Sequence, residues 1–325
     1  MVKILKVSSI WTHRVDELLI FHLIKNNCNK KIVFTSPNDA DLLFVGPYNL
    51  NSISNKIFNF LKRKTSSAKI NNKLENIQSK IFFRKIKPLK IYISHENKRY
   101  DEIKADFYIT SDFGNSNPNH LRIPIWKEYI DWKNHGIIRE STIHSLRFGE
   151  FYNLKKLQEP QGGNFLEKPR NISLFSSHLN EPRFSMYKIF KNHFSVDGFG
   201  PYFNKTIINH NKSPFFKKDI LKNYAFNLCP HDSIYPGYYG EKIPDAFLGK
   251  SLPISWADKN INKDFNEKSF INLIDYMSDE SSYEEIIKLM KDDVFLKKYA
   301  QEPLIVNTVD LNKEIKFAER IISLL

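Results

Sequence analysis

This sequence predicts an α/β protein built of two doubly wound domains, on three observations. Short apolar runs alternate with amphipathic helical patterns along most of the chain. The β-α-β series occurs twice, on either side of a stretch carrying two prolines and a Gly-Gly pair. No antiparallel hairpin pattern joins the strands of either series. With 325 residues, two cores of about 150 residues each are the natural division.

The first series opens with "VKILKVSSI" as a strand, "RVDELLIFHLIKNN" as an amphipathic helix and "KIVFT" as a second strand. "DADLLFVGPY" is a third strand, ended by its Gly-Pro turn. A basic segment follows, helical in parts and broken at "TSSAKINN"; "PLKIYISHEN" then supplies a strand, and "DEIKADFYITSDF" a short helix and a strand. Residues 155–171, "KKLQEPQGGNFLEKPRN", read as the linker. The expected domains are therefore 1–160 and 161–325, the second carrying the C-terminal helix. The second series runs through the strand "NISLFSSH", the helix "EPRFSMYKIFKNH", the strand "FSVDGFG", the helix "SPFFKKDILKNY" and the strand "AFNLCP". "KSFINLIDY" and helices near "SYEEIIKLMKDD" and "NKEIKFAERIISLL" complete it. Ligands of such folds sit at the carboxyl ends of strands, so a cleft between two facing domains is the expected site.

Composition narrows the classes. Hydrophobic residues make up 41% and aromatics 14%, enough for packed cores rather than disorder. Cys28 and Cys229 form no metal-ligand spacing and no disulfide framework, which fits a reducing, cytoplasmic compartment. No signal-peptide core and no apolar window of membrane-spanning length is present, giving a soluble or peripherally attached protein. The net charge of +13 is concentrated in residues 55–90, with eleven Lys or Arg against Glu75 alone. That stretch fits an anionic nucleotide substrate, a peripheral contact with the inner face of an anionic membrane, or solvated helices of a chain rich in Lys, Asn, Ile and Phe throughout; no zinc finger, RNP-type motif or basic-region helix supports nucleic acid.

The chemistry concentrates in "YPGYYGEKIPDAFLGKSLPISW". A helix starting near Glu241 places Pro244 in its first turn, where a missing N–H costs no intrahelical bond. Ile243 and Phe247 share one face, Asp245 and Lys250 point elsewhere, and Gly249 with Lys250 ends the helix. The N-terminal N–H groups and Lys242 suit a diphosphate, and the Glu241 carboxylate suits the paired hydroxyls of a ribose. The same residues also read as an ordinary exposed helix start, with Glu241 on the dipole and Lys242 solvated.

"YAFNLCP…GYYGEKIPDAFLGKSLPISWAD…KDFNEKSFINL" resembles, over about 50 residues in order and spacing, the donor-binding signature of glycosyltransferase family 10, the α-1,3-fucosyltransferases. Weaker likeness covers "DADLLFVGP", "IYISHEN" and "NEPRFSMYKIF" in the family's order. The resemblance implies a GT-B fold of two Rossmann-like domains, acceptor-binding then GDP-sugar-binding, and an inverting single displacement without a required metal or cofactor. It implies donor-binding roles for Arg183, Tyr238 and Lys242 at the diphosphate and for Glu241 at the ribose, with Glu96 as general base. Three departures stand near the donor: Pro230, His231 and Asp232 replace Phe-Glu-Asn, Gly240 replaces Thr, and Ala257 replaces Gly. They leave the transferred sugar open between fucose and a related deoxyhexose.

Expected partners are GDP-fucose or a related GDP-deoxysugar and an oligosaccharide or lipid-linked glycan acceptor, in a surface-polysaccharide or lipopolysaccharide pathway of bacterial type. The alternative is a noncatalytic basic protein that binds nucleic acid or anionic membrane, which leaves residues 224–273 unexplained. Other constellations are weaker. Asp39 and Asp41 in "DAD" precede a strand rather than follow one, so they read as a polar strand entry. The ten histidines show no metal-binding spacing. His95, His231 and Asp232 are the reserve candidates should Glu96 not be the base.

Overall fold

The structure, a computed structural model, describes residues 2–10, 14–47, 88–96, 104–139, 147–203, 216–231, 233–276 and 280–325. Most of the basic stretch at 55–90, the helix expected before "DFYITSDF" and Asp232 therefore lie outside the described residues. The chain divides into two compact units: Met1–Ile123 with His135–Arg139 and Asp310–Leu325, and Pro124–Asn134 with Glu140–Val309.

The first unit is a six-stranded sheet of β1 (Ile4–Ile10), β2 (Lys31–Phe34), β3 (Leu42–Val45), β4 (Leu89–Ser94), β5 (Phe107–Thr110) and β6 (His120–Arg122). Their spatial order is β2-β1-β3-β4-β5-β6, and every pairing is parallel. Parallel strands covered on both faces need apolar residues at every position, which is why "LLFV" of β3 is buried throughout. The strand expected at "KIVFT" forms the edge and stays largely exposed. The first helix is shorter than the sequence pattern: a 3-10 turn at Val15–Glu17 precedes α1 (Leu19–Asn27), with Leu18 extended between them. The buried His22 imidazole takes the Asp16 carbonyl at 2.7 Å, a group that a continuous helix would have used for its own ladder.

The second unit is a five-stranded parallel sheet of β7 (Ile172–Phe175), β8 (Val196–Phe199), β9 (Phe226–Pro230), β10 (Leu252–Trp256) and β11 (Ile271–Asn272), in the order β8-β7-β9-β10-β11. With it are α2 (Leu154–Leu157), α3 (Arg183–Lys191), α4 (Lys217–Leu221), α5 (Lys242–Leu248), α6 (Glu280–Leu289) and α7 (Asp293–Ala300). Its core joins Ile172, Leu174, Phe190, Phe226, Leu228 and Ile254 with Phe165 and Leu296.

The division between units differs from the expected 160/161 boundary at both ends. Residues 155–171 are packed rather than linking: Leu157 and Phe165 are fully buried, and the Gln161 side-chain amide donates to the carbonyls of Phe247 at 3.2 Å and Ser251 at 2.9 Å. Polar composition suggested a linker there, but those amides find backbone partners and the two apolar side chains find the core. The last helix, α8 (Asn312–Ile322), belongs to the first unit, where it packs on α1. Phe317 meets Phe107 edge-on at 5.3 Å, and Arg320 donates to Pro118 O at 3.1 Å and Asn119 Oδ1 at 2.7 Å. Which unit takes a terminal helix depends on the exposed apolar face waiting for it, and local periodicity carries no such information.

Candidate functional site

In the second unit the chain leaves β7 for β8 on one side and returns to β9 on the other, so the strand order reverses between β7 and β9. Crevices at the carboxyl ends of such a strand pair are the ligand sites of open parallel sheets. β9, "FNLCP", is buried along its length. Ser173 Oγ donates to Asn227 Oδ1 at 2.8 Å, Asn227 Nδ2 donates to Cys229 Sγ at 3.1 Å, and the Cys229 thiol donates to Lys242 O at 3.3 Å. This chain of bonds ties the sheet to the first residue of α5. Burial pushes the Cys229 thiol up to about 12, so it acts as a packing group rather than a thiolate nucleophile.

α5 starts where the sequence places it, with Glu241 as the residue before Lys242 and Pro244 in the first turn. Glu241 has helical backbone angles and makes no side-chain capping bond. Asp245, expected to face away, is instead 2% exposed. Ile243, Ala246 and Phe247 are also buried, so this helix offers Asp245 no wet face, and its carboxylate is compensated from within. Lys217, the first residue of α4, places Nζ 2.7 Å from Asp245 Oδ2 and 3.4 Å from Glu241 Oε1. Tyr152 donates its hydroxyl to Asp245 Oδ1 at 2.6 Å. Burial opposes the Lys217 charge, but Asp245 and Glu241 more than offset it and hold the ammonium above its ordinary value. Burial likewise raises Glu241, and Lys217 with Lys242 overcomes that and keeps it well below the carboxylate range.

His231 follows β9 directly and is 2% exposed, and among the described residues neither ring nitrogen has a hydrogen-bond partner. The Tyr238 ring stands edge-on to it at 5.5 Å and that of Tyr239 at 6.5 Å. Burial pushes the imidazole down to about 3, and the charges of Lys242, Glu241 and Arg183 all act on it. The structure thus gathers the four residues assigned to the donor, Arg183, Tyr238, Glu241 and Lys242, around His231. Arg183 opens α3 after β7, is 6% exposed, and has Nη1 3.5 Å from His178 Nε2. Tyr239 is a packing group: it is buried and donates its hydroxyl to Asp258 Oδ2 at 2.8 Å. Ala257 is buried, its backbone clasped on both sides by the Asn272 amide at 3.1 and 2.9 Å.

Glu96 stands apart from this group, two residues beyond the end of β4 in the first unit. It is half-buried, and its N–H donates to Ser94 Oγ at 3.2 Å. Asp39 and Asp41 serve the strand entry: Ser36 Oγ donates to Asp39 at 2.7 Å, and Lys6 N donates to Asp41 at 2.9 Å. Among the described residues no three His, Cys, Asp or Glu side chains assemble a metal site. Sequence reasoning missed Lys217, Asp245 and Tyr152. One signal was available for the lysine, because a cation in the first turn of a helix opposes the dipole and calls for a carboxylate partner.

Comparisons with known proteins bear on the lineage of the second unit and on the fold. Residues 165–309 match the model of "Glycosyltransferase family 10 (fucosyltransferase) C-term". The α-(1,3)-fucosyltransferase FucT of Helicobacter pylori is 27% identical over 243 residues, 68% of this chain, and the chain spans 48% of that enzyme's length. A crystal structure of an α1,3-fucosyltransferase superposes with a TM-score of 0.65 at 20% identity, covering 99% of this chain and 91% of that one. The same comparison with a GDP-fucose complex gives 0.64. At that identity the superposition speaks for the fold, the two-sheet GT-B architecture, while the family match is confined to residues 165–309. The segment that matches the glycosyltransferase family 10 model, residues 165–309, contains Arg183, Tyr238, Glu241 and Lys242 as well as His231.

Proposed function

We propose that the protein transfers fucose, or a related deoxyhexose, from a GDP-sugar to a hydroxyl of a glycan acceptor, by inverting single displacement. The observation that carries this reading is the convergence of Arg183, Tyr238, Glu241 and Lys242 at the carboxyl ends of β7 and β9. Two cations in a largely buried setting suit a diphosphate, and a carboxylate kept ionised between ammoniums suits the hydroxyl pair of a ribose. In the reaction the acceptor oxygen forms a bond to the anomeric carbon and gives its proton to the Glu96 carboxylate. The bond from that carbon to the β-phosphate oxygen breaks, and GDP leaves with the electron pair. Arg183 and Lys242 stabilise the charge that grows on the diphosphate, a role that requires no metal. The acceptor is a glycan of a surface polysaccharide or lipopolysaccharide type, reached at the cytoplasmic face of a membrane.

Isothermal calorimetry with GDP, followed by a screen of GDP-sugars read as GDP release and product mass, tests this. Micromolar GDP binding and turnover of GDP-fucose are the expected results. Lys242→Ala and Arg183→Ala should each weaken GDP binding by about 1.5 to 3 kcal/mol, the worth of a charge-assisted contact. Absence of GDP binding together with salt-sensitive binding to polyanions would replace this reading with that of a noncatalytic basic protein.

A further inference from the structure

Lys217 is the most enclosed cation of the second unit's site. Its side chain is 6% exposed, and Nζ lies 5.7 Å from the centre of the Phe175 ring at the end of β7. It lines a small cavity with Asn227, Leu228, Lys242 and Asp245. A buried ammonium is tolerated only where carboxylates surround it, and Lys217 has two. One, Asp245, is itself buried and braced by the Tyr152 hydroxyl. The other, Glu241, has a side chain 24% exposed, so it joins this buried cluster to the surface beside Lys242. A further observation fixes the lysine in place: Gly149 (φ +113°) lies so close to Phe216 that a Cβ would come within 2.7 Å of the ring, and Lys217 N donates to Arg147 O at 3.0 Å. The start of α4 is therefore clamped from both sides.

We propose that Lys217 is a positioning residue for Glu241: anchored by Asp245 and Tyr152, it holds one carboxylate oxygen from behind and keeps Glu241 ionised and oriented, leaving the other oxygen to meet a vicinal diol of the nucleotide. The inference rests on the nucleotide reading above. The charged groups facing Glu241 are Lys217 from α4, Lys242 and Asp245 from α5, and Arg147 from the segment packed on α4. His231 and the hydroxyls of Tyr129 and Tyr152 complete its surroundings. Of the cations, Lys217 contributes most to holding Glu241 ionised, ahead of Lys242 and Arg147.

The test uses Lys217→Met and, because that variant leaves Asp245 buried without its counter-charge, the double variant Lys217→Met/Asp245→Asn, which keeps an acceptor for Tyr152. GDP and pyrophosphate are titrated by calorimetry at pH 7.5 and 5.0, since only GDP carries the diol. The double variant should lose about tenfold in GDP affinity and stay near wild type for pyrophosphate. Its GDP affinity relative to wild type should fall by about threefold or more between pH 7.5 and 5.0, as a carboxylate freed from its ammonium takes up a proton. Equal losses for both ligands at both pH values would mean a structural role only and overturn the inference. A second readout stands apart from nucleotide binding: in protein labelled with ¹³C-glutamate, the Glu241 carboxyl resonance should titrate at higher pH in the double variant than in wild type. An unchanged Glu241 titration overturns the inference even if GDP binds, whereas wild-type protein that ignores GDP overturns the nucleotide reading and leaves the titration to decide the role of Lys217.

Discussion

Two side chains separate chemistry from support at the residue scale. Glu96 lies in the first unit, and Arg183, Tyr238, Glu241 and Lys242, the residues proposed to bind the donor, lie in the second. Glu96→Gln keeps size and hydrogen-bonding reach but cannot accept a proton, so transfer should fall by about 10²- to 10⁴-fold while GDP affinity is retained. Single-turnover rates beside calorimetry check this, and near-normal turnover would move the base to another residue, His95 first. His231 is the second case, because its imidazole is neutral in the fold with a pKa pushed down to about 3. The unfolded chain takes up a proton below the ordinary value of about 6.5, so it binds more protons than the native state between those limits. Stability from this group is therefore fully present above pH 6.5 and is lost as pH falls toward 3, by about 2 kcal/mol at pH 5. His231→Leu should narrow the gap between urea midpoints measured at pH 7.5 and 5.0; an unchanged gap would place the imidazole in a wetter setting.

The element that decides the site is α5, held at both ends. Its first carbonyl takes the Cys229 thiol, and its last turn presses on α4. Gly249 marks that contact: a Cβ there would sit 2.5 Å from Leu221 Cβ and 2.9 Å from the Asp245 carbonyl. Backbone cannot yield as a flexible side chain does, so Gly249→Ala should destabilise by about 1 to 3 kcal/mol, read from urea unfolding. Gly240→Ala is the matched control, since a Cβ there meets only His231 Cε1 at 3.9 Å, an ordinary contact. A stability change within about 0.5 kcal/mol is expected for it. Lys250 follows the helix with φ +61°, the left-handed conformation that ends it, as the Gly-Lys pair in the sequence predicts.

For the whole molecule, the net charge of +13 leads to a prediction about location. If residues 55–90 dock on an anionic membrane, co-sedimentation with phosphatidylserine vesicles should be strong at low salt. It should weaken as the Debye length shrinks toward about 8 Å at physiological ionic strength. Sedimentation that ignores salt, or none at all, would count against a peripheral membrane role. The sequence alone determined the α/β class, the two parallel sheets and the start of α5, because apolar period, proline placement and glycine stops are local properties of the chain. It also marked Tyr238, Glu241 and Lys242 as candidates within one stretch that resembles a family signature, and Arg183 in a separate stretch of weaker likeness. Only the tertiary structure decided that residues 155–171 are packed, that α8 closes the first unit, and that Asp245 is buried against Lys217 and Tyr152. These three depend on which surface meets a segment after folding. Lys217 lies 24 positions before Glu241 and Tyr152 lies 93 before Asp245, and no periodic pattern reaches across such separations to say which buried charge will find which partner.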